Sequence, residues 1–196
     1  MIKQEQNKNN MKTLIIHPKD SSTQFLDIVY KDIPDQTLVT GGITKDEVRE
    51  LIREHDRVMM MGHGSPNGLF SIGQFPQKNF FGNSFIIDES MVELLSEKEH
   101  NVYIWCWAST FVEKYNLKGF SSGMFISEVG EAYYCGLPGT KQDVVDESNY
   151  GFCNIISKYI NENTDNIYEN VMNEYGLIAE NNPVAFYNHN RIKMFL

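Results

Sequence analysis

Between residues 13 and 107 the chain carries short apolar runs, each separated from the next by a longer amphipathic stretch. No other feature constrains the fold as much. The runs are TLIIH at 13–17, QTLVT at 36–40, RVMMM at 57–61 and NVYIWCW at 101–107. Such runs, closed by Pro18 or by Gly41 and Gly42, fit strands buried on both faces, since a half-solvated strand alternates apolar with polar residues. The stretches between them have helical spacing. Ser21, Ser22 or Thr23 is placed to cap a helix carrying Phe25, Leu26, Val29 and Tyr30. Thr44 and Glu47 have the spacing of a capping box, ahead of an apolar face of Val48, Leu51 and Ile52. A third helix is predicted over 88–97.

Farther along, the same reading predicts a fifth strand at 122–127 (SGMFIS), a glycine-broken stretch at 130–139, helices at 143–160 and 165–175, and a final strand at 183–188 (PVAFYN). Residues 69–85 read as a small hairpin or ordered loop. The expected fold is α/β, a three-layer α/β/α arrangement with a mainly parallel central sheet. There is no internal repeat and no linker rich in Pro, Gly or Ser, so residues 12–196 are expected to form one domain. The polar residues 1–11 are expected to be a disordered tail.

Composition excludes several classes of function. The formal net charge is -9 with no long basic stretch, which argues against nucleic acid as a partner. No apolar run approaches the roughly 20 residues that cross a bilayer, so no membrane partner is expected. Cys106, Cys135 and Cys153 are an odd, sparse set without a CxxC pair, and the first ten residues lack the apolar core of a signal peptide. A reducing, cytoplasmic location is the expectation. No Cys/His cluster has ligand spacing, so neither a metal nor another cofactor is expected.

In open α/β sheets ligands bind beyond the carboxyl ends of the strands. The residues there are His17, Lys19 and Asp20 after the first run, Gly41 and Gly42 after the second, and His63 and Gly64 after the third. Cys106 to Ser109 follow the fourth, and Ser127, Glu128 and Glu131 the fifth. A cysteine nucleophile needs a base, because a thiol with pKa near 8.5 is mostly protonated at neutral pH. Histidine supplies one near operating pH. A tetrahedral oxyanion needs backbone N–H donors, and a glycine beside the base lets the main chain come close. Alone, a cysteine between two tryptophans is ordinarily core and a histidine after a strand is ordinarily a loop residue. Two of them at neighbouring strand ends form a constellation.

The segments VMMMG-His63-Gly64 and VYIW-Cys106 resemble, in their order, the signature of the cysteine-peptidase clan that includes caspases, metacaspases, gingipains and clostripain-like enzymes. The resemblance spans Lys12 to roughly Glu128. It implies a caspase-haemoglobinase-like fold and an endopeptidase acting on a peptide or protein substrate through an acyl-enzyme. In that reading Cys106 is the nucleophile, His63 the general base and acid, and the N–H groups of Gly64 and Cys106 the oxyanion hole. The chain departs from the pattern in three respects. Trp105 stands where members commonly have a small residue. Aligning Ala108-Ser109 with the family's Ala-Cys would put serine in the nucleophile's place. Ile104 and Trp105 offer no carboxylate for a basic substrate residue; Asp20, Glu128 and Glu131 are the candidates for an acidic substrate pocket, and Lys19 is the one basic candidate near the edge. Two other readings stay open: a non-catalytic binding or regulatory module of the same fold, and a flavodoxin-like domain that holds a small ligand at Gly41-Gly42 and the GHGSPNG loop.

Overall fold

Alternate side chains of the short strands feed opposite faces of one sheet. A computed structural model describes residues 11–76 and 85–196. Its strands are β1 (Thr13–Ile16), β2 (Gln36–Val39), β3 (Arg57–Met61), β4 (Gly64–Ser65), β5 (Gly68–Phe70), β6 (Phe85–Ile87), β7 (Val102–Ile104), β8 (Gly119–Ser122) and β9 (Ile192–Phe195). Six of them form a central sheet in the order β2-β1-β3-β7-β8-β9. All its neighbours are parallel except β9, which runs antiparallel to β8. The strands β4, β5 and β6 make a separate antiparallel sheet.

The helices are α1 (Asp27–Tyr30), α2 (Lys45–Glu54), α3 (Val92–Ser96), α4 (Ala108–Lys114), α5 (Val129–Tyr134), α6 (Gln142–Tyr159), α7 (Thr164–Ala179) and α8 (Pro183–His189). Ile15, Met59, Met61, Val102, Ile104 and Phe120 share one core with residues of α1, α6 and α7. Leu14, Ile16, Val58, Met60 and Tyr103 share the other with α2, α3 and α4. The period of two in the strands therefore sorts the chain into helices on either side of a mostly parallel sheet, as the apolar runs predict. Each fully buried side chain of this kind contributes about 1.5–3 kcal/mol.

Local signals explain several elements. Thr44 accepts a hydrogen bond from Glu47 N at 3.2 Å while Glu47 Oε2 accepts from Thr44 N at 2.6 Å, which completes the capping box of α2. The loop at 69–85 is the small antiparallel sheet in part; residues 77–84, and residues 1–10 of the tail expected at 1–11, lie outside the described residues.

Three elements differ from expectation. The run at 101–107 is strand only to Ile104, because Trp107 adopts a left-handed backbone (φ 69°) and starts α4. The fifth strand lies at 119–122, not 122–127. The segment PVAFYN is helix α8, not a strand: Asn182 Oδ1 accepts from Val184 N and Ala185 N at 3.0 and 2.9 Å, with Pro183 at the first helical position. The final strand is β9. Residues 123–127 are instead pinned by Asn188 of α8, whose Oδ1 accepts from Ile126 N (2.7 Å) and whose Nδ2 donates to Ile126 O (3.0 Å). Among the described residues no helix is long and apolar enough to cross a membrane.

Candidate active site

The parallel pairing of β3 with β7, which sets Met61 opposite Ile104, delivers the next residues of both strands to one edge of the sheet. Gly62 makes the exit from β3 with φ 136°, a conformation that side chains disfavour, and its N–H donates to Ile104 O at 3.0 Å. His63 follows. Cys106 occupies the turn between β7 and α4, and the Trp107 N–H behind it donates to Gly123 O at 3.0 Å. His63 and Cys106 line one narrow cleft of about 20 Å³, walled by Phe25, Gly62, Phe125 and Ser127 among others.

His63 is held from the β1 side. Its Nε2 lies 2.7 Å from Ser22 Oγ and 3.2 Å from Asp20 Oδ2. Ser22 has one hydroxyl proton and donates it to Asp20 Oδ1 at 2.8 Å, so Ser22 Oγ accepts from His63. The neutral ring therefore carries its proton on Nε2, leaving Nδ1 as the basic nitrogen. Asp20 Oδ1 also accepts from Ser22 N, Thr23 N and Thr23 Oγ1 at 3.0, 3.0 and 3.1 Å. Burial alone would raise the Asp20 carboxyl, but the Ser22 hydroxyl, His63 and Thr23 outweigh it and hold it below the usual range. Asp20 thus remains a carboxylate that helps fix the orientation of the ring. Asp20, expected as a candidate for an acidic substrate pocket, stands against the His63 ring and is not among the lining residues of the cleft.

Cys106 has different neighbours. Its Sγ lies 3.5 Å from Phe125 O and 3.9 Å from Glu131 Oε1. Burial first, and the Glu131 charge second, push the thiol up to about 12, so it is protonated at neutral pH. Glu131 is fixed in that position because its Oε2 accepts from Ser127 N (2.7 Å), Ser127 Oγ (2.9 Å) and Glu128 N (3.2 Å), closing the first turn of α5. The thiol and the imidazole thus share a cleft while each is bonded to other groups.

The remaining candidates are placed as follows. Gly64 is not among the cleft's lining residues; it lies against Trp105, where an added Cβ would come 2.1 Å from Cδ1 of the indole. The indole Nε1 donates to Ser65 O at 3.1 Å, so the large residue before Cys106 anchors β4. Ser109 is buried within α4 and does not line the cleft. Glu128 lines a neighbouring pocket. Lys19 is 2.8 Å from Asp27, and His17 is buried against the Tyr30 hydroxyl at 3.0 Å, where burial lowers its pKa to about 4. Cys153 is fully buried in the core with α6, and Cys135 packs beside Ile126 and Ala132.

Sequence reasoning missed Ser22 as a partner of His63 and Glu131 as a neighbour of the thiol. Their positions after β1 and β8 were the available signal. Among the described residues no group of three or more His, Cys, Asp or Glu side chains is arranged to hold a metal ion. No protein-family model matches the chain, and no curated protein or solved structure matches it.

Proposed function

We propose that the chain is a caspase-like cysteine peptidase in a resting state, with Cys106 as nucleophile and His63 as general base and acid. The carrying observation is that two adjacent parallel strands deliver His63 and Cys106 into a single cleft. Nδ1 of His63, basic because Nε2–H is bonded to Ser22 and Asp20, accepts the thiol proton. The thiolate attacks the peptide carbonyl, and the protonated ring then donates to the leaving amine; water hydrolyses the acyl-enzyme and restores the thiol. The contact of Glu131 with the thiol supports calling this state resting, because a carboxylate beside Sγ opposes thiolate formation.

The protonated thiol also favours a second reading, a binding module of the same fold without activity. Iodoacetamide labelling near neutral pH, resolved by peptide mass spectrometry, separates the two. In the peptidase, His63→Ala slows labelling of Cys106 and leaves Cys135 unchanged. A Cys106 rate indifferent to His63→Ala supports the binding module.

A further inference from the structure

One fully buried imidazole takes no part in the proposed chemistry. His17 follows β1 directly, and burial, which outweighs the neighbouring Asp27, keeps its ring neutral at physiological pH. An apolar side chain would fill that place without the cost of burying two ring nitrogens, so their partners are informative. Nδ1 lies 3.0 Å from the Tyr30 hydroxyl and 3.5 Å from Asp27 Oδ1. The Tyr30 hydroxyl donates its own proton to Asp27 Oδ1 at 2.5 Å, so it accepts from His17 Nδ1–H. Asp27 is held in turn by Lys19 at 2.8 Å. His17 Nε2 is then an acceptor, 3.4 Å from Thr23 Oγ1.

Thr23 is 3% exposed, forms part of the cleft wall and joins this chain of bonds to the base. Its hydroxyl oxygen accepts from Asp20 N at 3.2 Å, and its single proton goes to Asp20 Oδ1 at 3.1 Å with His17 Nε2 as the second acceptor in reach. The same Asp20 carboxylate holds Ser22, and both stand against His63 Nε2. His17 also touches the other approach to the base: an added Cβ on Gly62, the residue before His63, would come 3.7 Å from His17 Cδ2. The buried ring thus stands between the segment that delivers His63 and the turn that cradles it.

We propose that His17 and Thr23 are positioning residues for His63, which hold Asp20 and Ser22 against its Nε2 and so keep Nδ1 the basic nitrogen. Asp20 and Ser22 are partly open to water, and their bonds to the ring persist because the turn beneath them is locked by buried partners. Without the Thr23 hydroxyl, the Asp20 carboxylate loses a donor and the Asp20 N–H loses its acceptor. What the held base then does rests on the peptidase reading; the hold itself does not require Cys106 to react.

The test is 1H–15N NMR of the histidine side chains in the full chain, comparing wild type with Thr23→Val, Thr23→Ser and His17→Gln. The His63 signals are assigned by their loss in His63→Ala, and urea melts establish that each variant is folded. The expected wild-type spectrum shows His63 protonated on Nε2, with that proton protected from water. Its exchange is expected to quicken about tenfold or more in Thr23→Val and in His17→Gln, the effect of losing a bond to a charged group. Thr23→Ser, which keeps the hydroxyl, restores slow exchange. Should His17→Gln fail to fold, Thr23→Val against Thr23→Ser decides. Unchanged exchange in Thr23→Val, an effect that Thr23→Ser does not relieve, or a wild-type ring protonated on Nδ1 overturns the proposal. Quickening in Thr23→Val with none in a folded His17→Gln overturns the part given to His17. Peptide cleavage, assayed on the same samples, reports the peptidase reading separately. A wild type that holds its Nε2 proton and cleaves nothing overturns that reading and leaves the hold intact.

Discussion

Replacing Glu131 by Gln removes a negative charge 3.9 Å from the Cys106 sulfur and keeps a carbonyl oxygen to accept the bonds from Ser127 and Glu128. With the thiol pushed to about 12, its thiolate fraction at pH 7.5 is roughly 3 × 10⁻⁵. A unit charge about 4 Å away near a protein surface is worth at most ~4 kcal/mol. The three hydrogen bonds that Glu131 accepts spread its charge, which leaves about 1.5–3 kcal/mol on the thiol. The thiolate fraction of the variant then rises about ten- to hundredfold, while the less basic thiolate loses nucleophilicity with a Brønsted slope of about 0.4–0.5. The net gain is roughly three- to tenfold in the rate of attack on a small disulfide. The assay follows mixed-disulfide formation at Cys106 by peptide mass spectrometry between pH 6.5 and 9.5, with Cys135 as internal reference. The wild-type rate should climb across this range without a plateau, with Glu131→Gln parallel and higher. Glu128→Gln, which changes an exposed charge, should move the rate less than about twofold. Equal rates for wild type and Glu131→Gln, or a wild-type plateau below pH 9, would refute the claim that this carboxylate adds to burial in raising the thiol.

His17 is buried with its pKa lowered to about 4 from 6.5, so the unfolded chain binds the extra proton first and stability falls as pH drops from 6.5 through 4. The loss is about 3 kcal/mol, and His17→Gln should flatten that part of the stability curve in denaturant melts at several pH values. Gly64→Ala should cost about 2–3 kcal/mol through its collision with Trp105, whereas Gly130→Ala, which meets nothing within 4 Å, should be neutral or slightly stabilising by thermal melt. Asn188→Ala leaves both backbone groups of Ile126 without their partner and should destabilise by about 3 kcal/mol in urea, loosening the segment that carries Phe125 and Ser127.

The parts of the fold legible in the sequence were those governed by local periodicity. The strand at Arg57–Met61 and the Thr44 cap follow from residues that neighbour one another in the chain. The misread segments are those in which a single backbone feature overrides composition. Trp105 and Trp107 look like strand, yet the left-handed backbone at Trp107 ends the run and starts a helix. PVAFYN is rich in strand formers, but Asn182 and Pro183 are a helix start, and Val184, Ala185 and Asn188 bury a helical face. At the site, strand ends located His63 and Cys106. The bond from His63 to Ser22 spans 41 positions and the contact from Cys106 to Glu131 spans 25, so no local pattern records either. The first of those contacts decides which ring nitrogen is basic, and the second adds a negative charge to the burial that raises the thiol.

Cleavage of a mixed peptide library, read by mass spectrometry, tests the central claim most directly. The account predicts cleavage by the wild type that increases in Glu131→Gln, disappears in both Cys106→Ala and His63→Ala, and persists in Cys135→Ser. The contradicting result is an uncleaved library with both wild type and Glu131→Gln, or cleavage that survives Cys106→Ala.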